Sequence, residues 1–108
     1  MFHNKEEGNI LLDYYGSLLT DRQLNILSEY FVDDLSMAEI AENNNITKSA
    51  VSDLINRTLS QLNIYEDKLK MIDQSKKIDI LIEKMENDKN IDIKYINELK
   101  KINRGYYD

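Results

Sequence analysis

Apolar residues recur along this chain at intervals of three and four, the period of helices that bury one face. The spacing predicts a first helix over Asn9 to Ser17, with Leu11, Tyr14, Tyr15 and Leu18 on or near one face and the residues before it outside the helix. A second is expected from Asp21 to about Val32, presenting Leu24, Leu27, Tyr30 and Phe31 and closed by Asp33-Asp34. A third runs from Met37 to about Asn43, and a fourth opens at Lys48. Polar residues mark the starts. Thr20 with Gln23 and Ser36 with Glu39 each have the hydroxyl-then-Gln/Glu spacing of a capping box, and Thr47 can cap the fourth helix. Between the third and fourth helices, Ile40 and Ala41 face inward, and Ile46, Val51 and Leu54 supply apolar contacts from the turn and the next helix. Ala41 is small where two helices must cross closely. Asn45 falls where the chain has to turn, and Asn tolerates the left-handed backbone such a turn can require. Together these positions predict a helix-turn-helix over residues 36–59, although a plain packing corner between two helices of a small bundle would show caps and apolar stripes too.

Beyond this region the pattern lengthens. Leu59, Leu62, Tyr65, Leu69 and Ile72 recur at three or four residues, and Met71, Ser75, Ile78, Ile82 and Met85 continue on a slightly rotated stripe. This reads as one long amphipathic helix, with a break expected near Asn63 if anywhere. Asn87-Asp88-Lys89-Asn90 is a polar turn, and Ile91, Tyr95, Ile96, Leu99 and Ile102 form a last short helix ending near Gly105. A stripe this long extending from a small bundle exceeds what its own domain covers, so a second copy of the chain is the expected partner. The dimerisation candidates are Leu62, Tyr65, Leu69, Ile72, Ile78, Ile82 and Met85; the alternative is a hairpin that folds back within one chain. The expected organisation is therefore all-α: a small bundle containing the helix-turn-helix over residues 1–62, then an amphipathic helical extension over 63–108 acting as a dimerisation arm.

Composition sharpens this reading. The 108 residues include no proline and three glycines, so little interrupts helices, and the absence of cysteine excludes disulfides and thiolate metal sites and fits a reducing cytosol. Apolar runs such as Ile10-Leu11-Leu12 fall far short of a membrane span, and MFHNKEEG lacks the basic-then-apolar order of a signal peptide, so a cytoplasmic protein without membrane insertion is expected. The net charge of -6 is unevenly spread: residues 1–35 hold two basic and seven acidic side chains, 36–62 two and three, and 63–108 ten of each. No segment is a basic patch, which weakens any nucleic-acid reading, since duplex binding draws much of its affinity from neutralised phosphates.

Catalytic chemistry finds little support. The lone histidine, His3, lies in the N-terminal segment, so one chain supplies neither a paired-His metal site nor a Ser-His arrangement. Gly8, Gly16 and Gly105 are too dispersed to cradle phosphate. Acidic pairs such as Glu6-Glu7, Asp33-Asp34 and Glu66-Asp67 read as solvated charge at helix ends. No enzyme activity, cofactor, metal or small-molecule substrate is expected.

The residues Leu19-Thr20-Asp21-Arg22-Gln23, Leu35-Ser36-Met37-Ala38-Glu39-Ile40-Ala41-Glu42 and Ala50-Val51-Ser52-Asp53, with Arg57 following, resemble the helix-turn-helix region of sigma-70-type factors over Leu19 to about Leu62. From about Ile10 to the late eighties the chain resembles the YlxM family of small bacterial proteins. Asn44 departs from that pattern, where a hydrophobic residue is usual, as does Asn45, where Gly is common. The YlxM resemblance implies a regulatory or accessory part in the signal recognition particle pathway, with the particle's protein or RNA as partner, because members are typically encoded beside the particle's GTPase or its receptor.

DNA is the other partner to weigh. With the fourth helix in a major groove, Lys48, Ser49, Ser52, Asp53 and Asn56 would face outward; Lys48 would bind phosphate and Asn56 could read an adenine edge. Asp53 would repel the same backbone. Lys48, Ser49 and Ser52 stand where the YlxM pattern usually has Arg, Gln and Tyr, which lessens the groove-facing potential. Arg57 is a further candidate for nucleic acid, against a structural role pairing with Glu39 or Glu42 across the helix crossing.

Overall fold

A computed structural model of the protein describes residues 4–104. Among these there are six α-helices, one short 3-10 turn and no strand, as expected of an all-α chain. The helices are α1 (Lys5–Tyr15), α2 (Asp21–Phe31), α3 (Met37–Asn44), α4 (Lys48–Leu69), α5 (Met71–Glu86) and α6 (Ile93–Arg104), with the 3-10 turn at Gly16–Leu18. They form two compact units, residues 1–69 and 70–108. His3 and Gly105 lie outside the described residues.

The first unit is built from caps that local sequence dictates. Thr20 and Ser36 each accept from the backbone N–H three residues on, at 3.2 and 3.1 Å, while Gln23 and Glu39 return the bond to the cap N–H at 3.0 Å, so both capping boxes close. Thr47 Oγ1 accepts from the Ala50 N–H at 3.0 Å and starts α4. The first helix begins earlier than its apolar spacing suggests. Asn4 Oδ1 accepts from the Glu6 and Glu7 N–H groups, and this cap extends α1 back to Lys5; at the other end the helix stops at Tyr15, and Gly16–Leu18 tightens into the 3-10 turn, leaving Leu18 about half exposed.

Tyr15, Ile26, Leu27, Ile40, Val51, Ile55, Thr58 and Leu62 are fully buried, so each of α1 to α4 contributes to one core. Phe31 packs so tightly on α1 that a Cβ placed on Gly8 would come within 2.2 Å of its ring. Only glycine permits that approach. The turn after α2 is held by Lys5, whose Nζ donates to the Tyr30 carbonyl oxygen at 2.8 Å and to Asp34 Oδ1 at 2.6 Å while lying 4.1 Å from the Tyr30 ring centroid. Asp34 sits in the left-handed region (φ 56°).

Helix α4 passes through Asn63 without a break, because the Asn63 side chain turns back to donate to the Leu59 carbonyl oxygen at 3.0 Å rather than interrupting the backbone ladder. The interruption comes at Lys70, in the left-handed conformation (φ 55°), so the long amphipathic stretch is two helices rather than one. The division between units accordingly falls after Leu69. In the second unit α6 packs antiparallel on α5, with Asn103 Nδ2 donating to the Ser75 carbonyl oxygen at 3.4 Å and to Asp79 Oδ1 at 3.2 Å, and with a Lys100–Glu86 ion pair at 2.9 Å. The last helix starts at Ile93 rather than Ile91, since Asp92 Oδ1 accepts from the Lys94 N–H at 2.9 Å and so marks the helix entry. No helix among the described residues is long and apolar enough to cross a membrane.

Candidate nucleic-acid interface

The three residues Asn45, Ile46 and Thr47 join α3 to α4. Asn45 adopts φ 55°, ψ 43°; its N–H donates to the Glu42 carbonyl oxygen at 3.3 Å, and the Ile46 N–H reaches the Ala41 carbonyl oxygen at 3.1 Å. That pair of bonds is a Schellman closure, which satisfies the last carbonyls of α3 and brings the chain round at once into the Thr47 cap. Asn44, the departure from the usual apolar residue, is accommodated by polar contacts: its Nδ2 donates to the Ile40 carbonyl oxygen at 2.8 Å and lies 3.3 Å from each Glu29 carboxylate oxygen. Ala41 and Val51 are both buried where α3 packs on α4. The bend is therefore closed by backbone hydrogen bonds over a buried Ala41–Val51 layer.

Its outer side is sparse in charge. Lys48 and Ser49 are exposed in the first turn of α4, and Ser52 is half-buried. Arg57 does not reach Glu39 or Glu42. Its Nη2 lies 3.1 Å from Asp53 Oδ2, one turn back on the same helix, with both side chains largely exposed. An i,i+4 pair of this kind contributes about 0.3–0.5 kcal/mol, and it keeps an acid beside the cation that a phosphate would need. Asn56 is half-buried: with Asn4, Glu7, Gly8, Leu11, Leu59, Ser60 and Asn63 it lines a groove of about 220 Å³ between α1 and α4. It shares that groove with the Glu7 carboxylate. Lys48, Ser49 and Arg57 are thus exposed, Lys48 and Arg57 on opposite sides of α4, while Ser52 and Asn56 are half-buried.

Glu39 is held below the ordinary carboxylate range by the backbone N–H and then the hydroxyl of Ser36, so it stays ionised at the start of α3. Asp34 is likewise lowered, by its hydrogen bond from Lys5 and then by that residue's charge.

The proposed dimerisation residues divide between the two units. Leu62 is fully buried in the first, and Tyr65 packs there at 6.1 Å from the Tyr15 ring centroid while its hydroxyl accepts from Gln61 Nε2 at 2.7 Å. Tyr15 in turn donates its hydroxyl proton to Glu66. Leu69 is half exposed. In the second unit Ile82 is fully buried, and Ile72, Ile78 and Met85 are half-buried. The stripe is therefore not one open seam. Its most apolar points are already covered within their own units, a covering the periodicity could not distinguish from a partner's.

A closed three-residue turn between a short helix and an exposed longer one, packed on two preceding helices, defines a helix-turn-helix protein. The chain belongs to the UPF0122 family: the family model described as "Putative helix-turn-helix protein, YlxM / p13 like" matches residues 3–102. It is 50% identical over 76 residues to a UPF0122 protein of Clostridium perfringens, covering 70% of this chain and 65% of that protein. It is also 51% identical over 69 residues to one from Clostridium acetobutylicum (64% and 60% covered) and 47% over 64 residues to one from Malacoplasma penetrans (59% and 60%). The matched region thus spans less than two thirds of the length of each of these relatives.

Proposed function

We propose that the first unit is a non-catalytic docking module, acting in the cytoplasm as a regulatory or accessory component of the signal recognition particle pathway, with the particle's protein or RNA as its partner. The pathway comes from the YlxM resemblance. What favours docking over duplex reading is the Arg57–Asp53 pair: it engages Arg57, the next cation along α4 after Lys48, and sets a carboxylate beside it. The acidic excess of residues 1–35 points the same way and favours the particle's protein over its RNA, since complementary fields speed association with a basic surface and help set its orientation.

Purified components test this. Saturable binding to the particle's GTPase or its RNA, weakening as salt rises, is the expected result, and no binding at high protein concentration would contradict it. A second reading, a DNA-binding transcriptional regulator, is favoured by the exposed first turn of α4 with Lys48 and Ser49. Under that reading the protein would select specific sites from mixed genomic fragments, and Lys48→Ala would weaken them.

A further inference from the structure

The second unit is poorly covered for its size. It spans about 40 residues, and its buried apolar side chains among the described residues are Ile82 and Ile96. Chains below about 40 residues usually need disulfides, metals or oligomerisation to hold a fold, and this sequence has no cysteine. Of the large apolar residues it leaves open, Ile80 and Ile93 point away from the rest, and three share one side. Leu81 on α5, with Tyr95 and Ile102 on α6, are 52, 65 and 63% exposed. At 100° per residue, Leu81 lies about 100° to one side of Ile82, which faces α6, and Tyr95 and Ile102 lie about the same amount to one side of Ile96, which faces α5. In an antiparallel pair those two offsets fall on the same side. The half-buried Ile78, Met85 and Leu99 lie between them and the hairpin seam, so one broad side of the α5–α6 hairpin is a continuous apolar face.

We infer that this face docks on the same face of a second copy, pairing two hairpins into a four-helix bundle. Charge at its rim selects a second copy as the occupant. Lys84 and Lys77 flank the face on α5, Lys77 already pairing with Asp73 one turn back at 3.1 Å, and Glu98 flanks it on α6, all exposed. Asn103 meets Ser75 and Asp79, so Glu98, five residues earlier on the antiparallel helix, is level with the stretch between the two lysines. A two-fold axis parallel to the helices lays α5 of one copy over α6 of the other, and each lysine pair then faces the partner's Glu98. The same face against itself with α5 over α5 would oppose like charges. Residues 70–108 hold nine basic and eight acidic residues, so the net charge of the hairpin, +1, opposes the pairing only weakly. This inference is independent of what the first unit binds.

Ile80 supplies an internal control, since it is 54% exposed, as open as Leu81, but lies on the other side of α5. Sedimentation of the full chain is expected to show a dimer at micromolar concentration. Leu81→Glu and Ile102→Glu should each raise the dimer dissociation constant by at least about tenfold, while Ile80→Glu leaves it within about twofold. Should a glutamate variant lose helicity, Glu98→Lys at the rim still weakens the dimer, and adding Lys77→Glu and Lys84→Glu restores it. A wild-type chain that is monomeric throughout, or equal effects of Ile80→Glu and Leu81→Glu, would overturn the inference.

Discussion

The two units use the same periodicity to opposite ends. In residues 1–69 every helix contributes a fully buried side chain to a common core, although Leu18, Val32, Ile64 and Leu69 stay exposed at its edges; in residues 70–108 only Ile82 and Ile96 are buried apolar side chains among the described residues, and Leu81, Tyr95 and Ile102 stay exposed on one side. An amphipathic stripe therefore does not say by itself whether its covering is internal or supplied by a neighbour. The difference follows from how many helices converge: four close a core around Ile55 and Leu62, whereas two leave a broad side uncovered.

Substitutions can break this contrast, and the largest effect belongs in the first unit. Ile55→Ala empties a fully buried site and is expected to cost about 2–5 kcal/mol in urea unfolding of the full chain, through lost transfer energy plus the cavity left behind. Gly8→Ala comes next. The Phe31 ring leaves no room for the added methyl, and a loss of about 1–3 kcal/mol is expected, with the α1–α2 contact loosening first in the aromatic NMR signals. Ser36→Ala removes one half of the capping box of α3 and should cost about 1 kcal/mol, measured the same way.

A pH-dependent effect is the smallest. Because the folded protein holds Asp34 below its ordinary value, the stability it contributes is fully present above the unfolded value and is lost as pH falls through the folded one. In a carboxyl NMR titration Asp34 should titrate below the usual range in the wild type and move up in Lys5→Met. An unchanged titration would remove Lys5 as the cause.

What the sequence made legible was local. Thr20 with Gln23, Ser36 with Glu39, Thr47 and Asn45 act within four residues of themselves, and each caps or turns the chain where its spacing puts it. The break at Lys70 was not legible, because Lys carries no preference for a left-handed backbone and no Gly, Asn or Pro stands there. Gly8 read as a dispersed glycine, since its role exists only once α1 meets Phe31, 23 positions along the chain. On the candidate interface, the helical face holding Lys48 and Ser49 was readable from period alone. The half-burial of Asn56 in the groove beside α1 needed the position of a second helix, and Arg57 found its acid at the nearer i−4 position rather than across the crossing. Ile26, fully buried yet absent from the expected face of α2, shows the same dependence: the buried arc of that helix is wide because α1, α3 and α4 all pack on it.

Amide hydrogen exchange of the full chain at two protein concentrations, well below and well above the dimer dissociation constant, tests the contrast most directly. The account predicts that protection across α2, α3 and the buried half of α4 is the same at both, while protection in α5 and α6 rises with concentration as a second copy covers Leu81, Tyr95 and Ile102. Equal protection of α5 and α6 at both concentrations would contradict it.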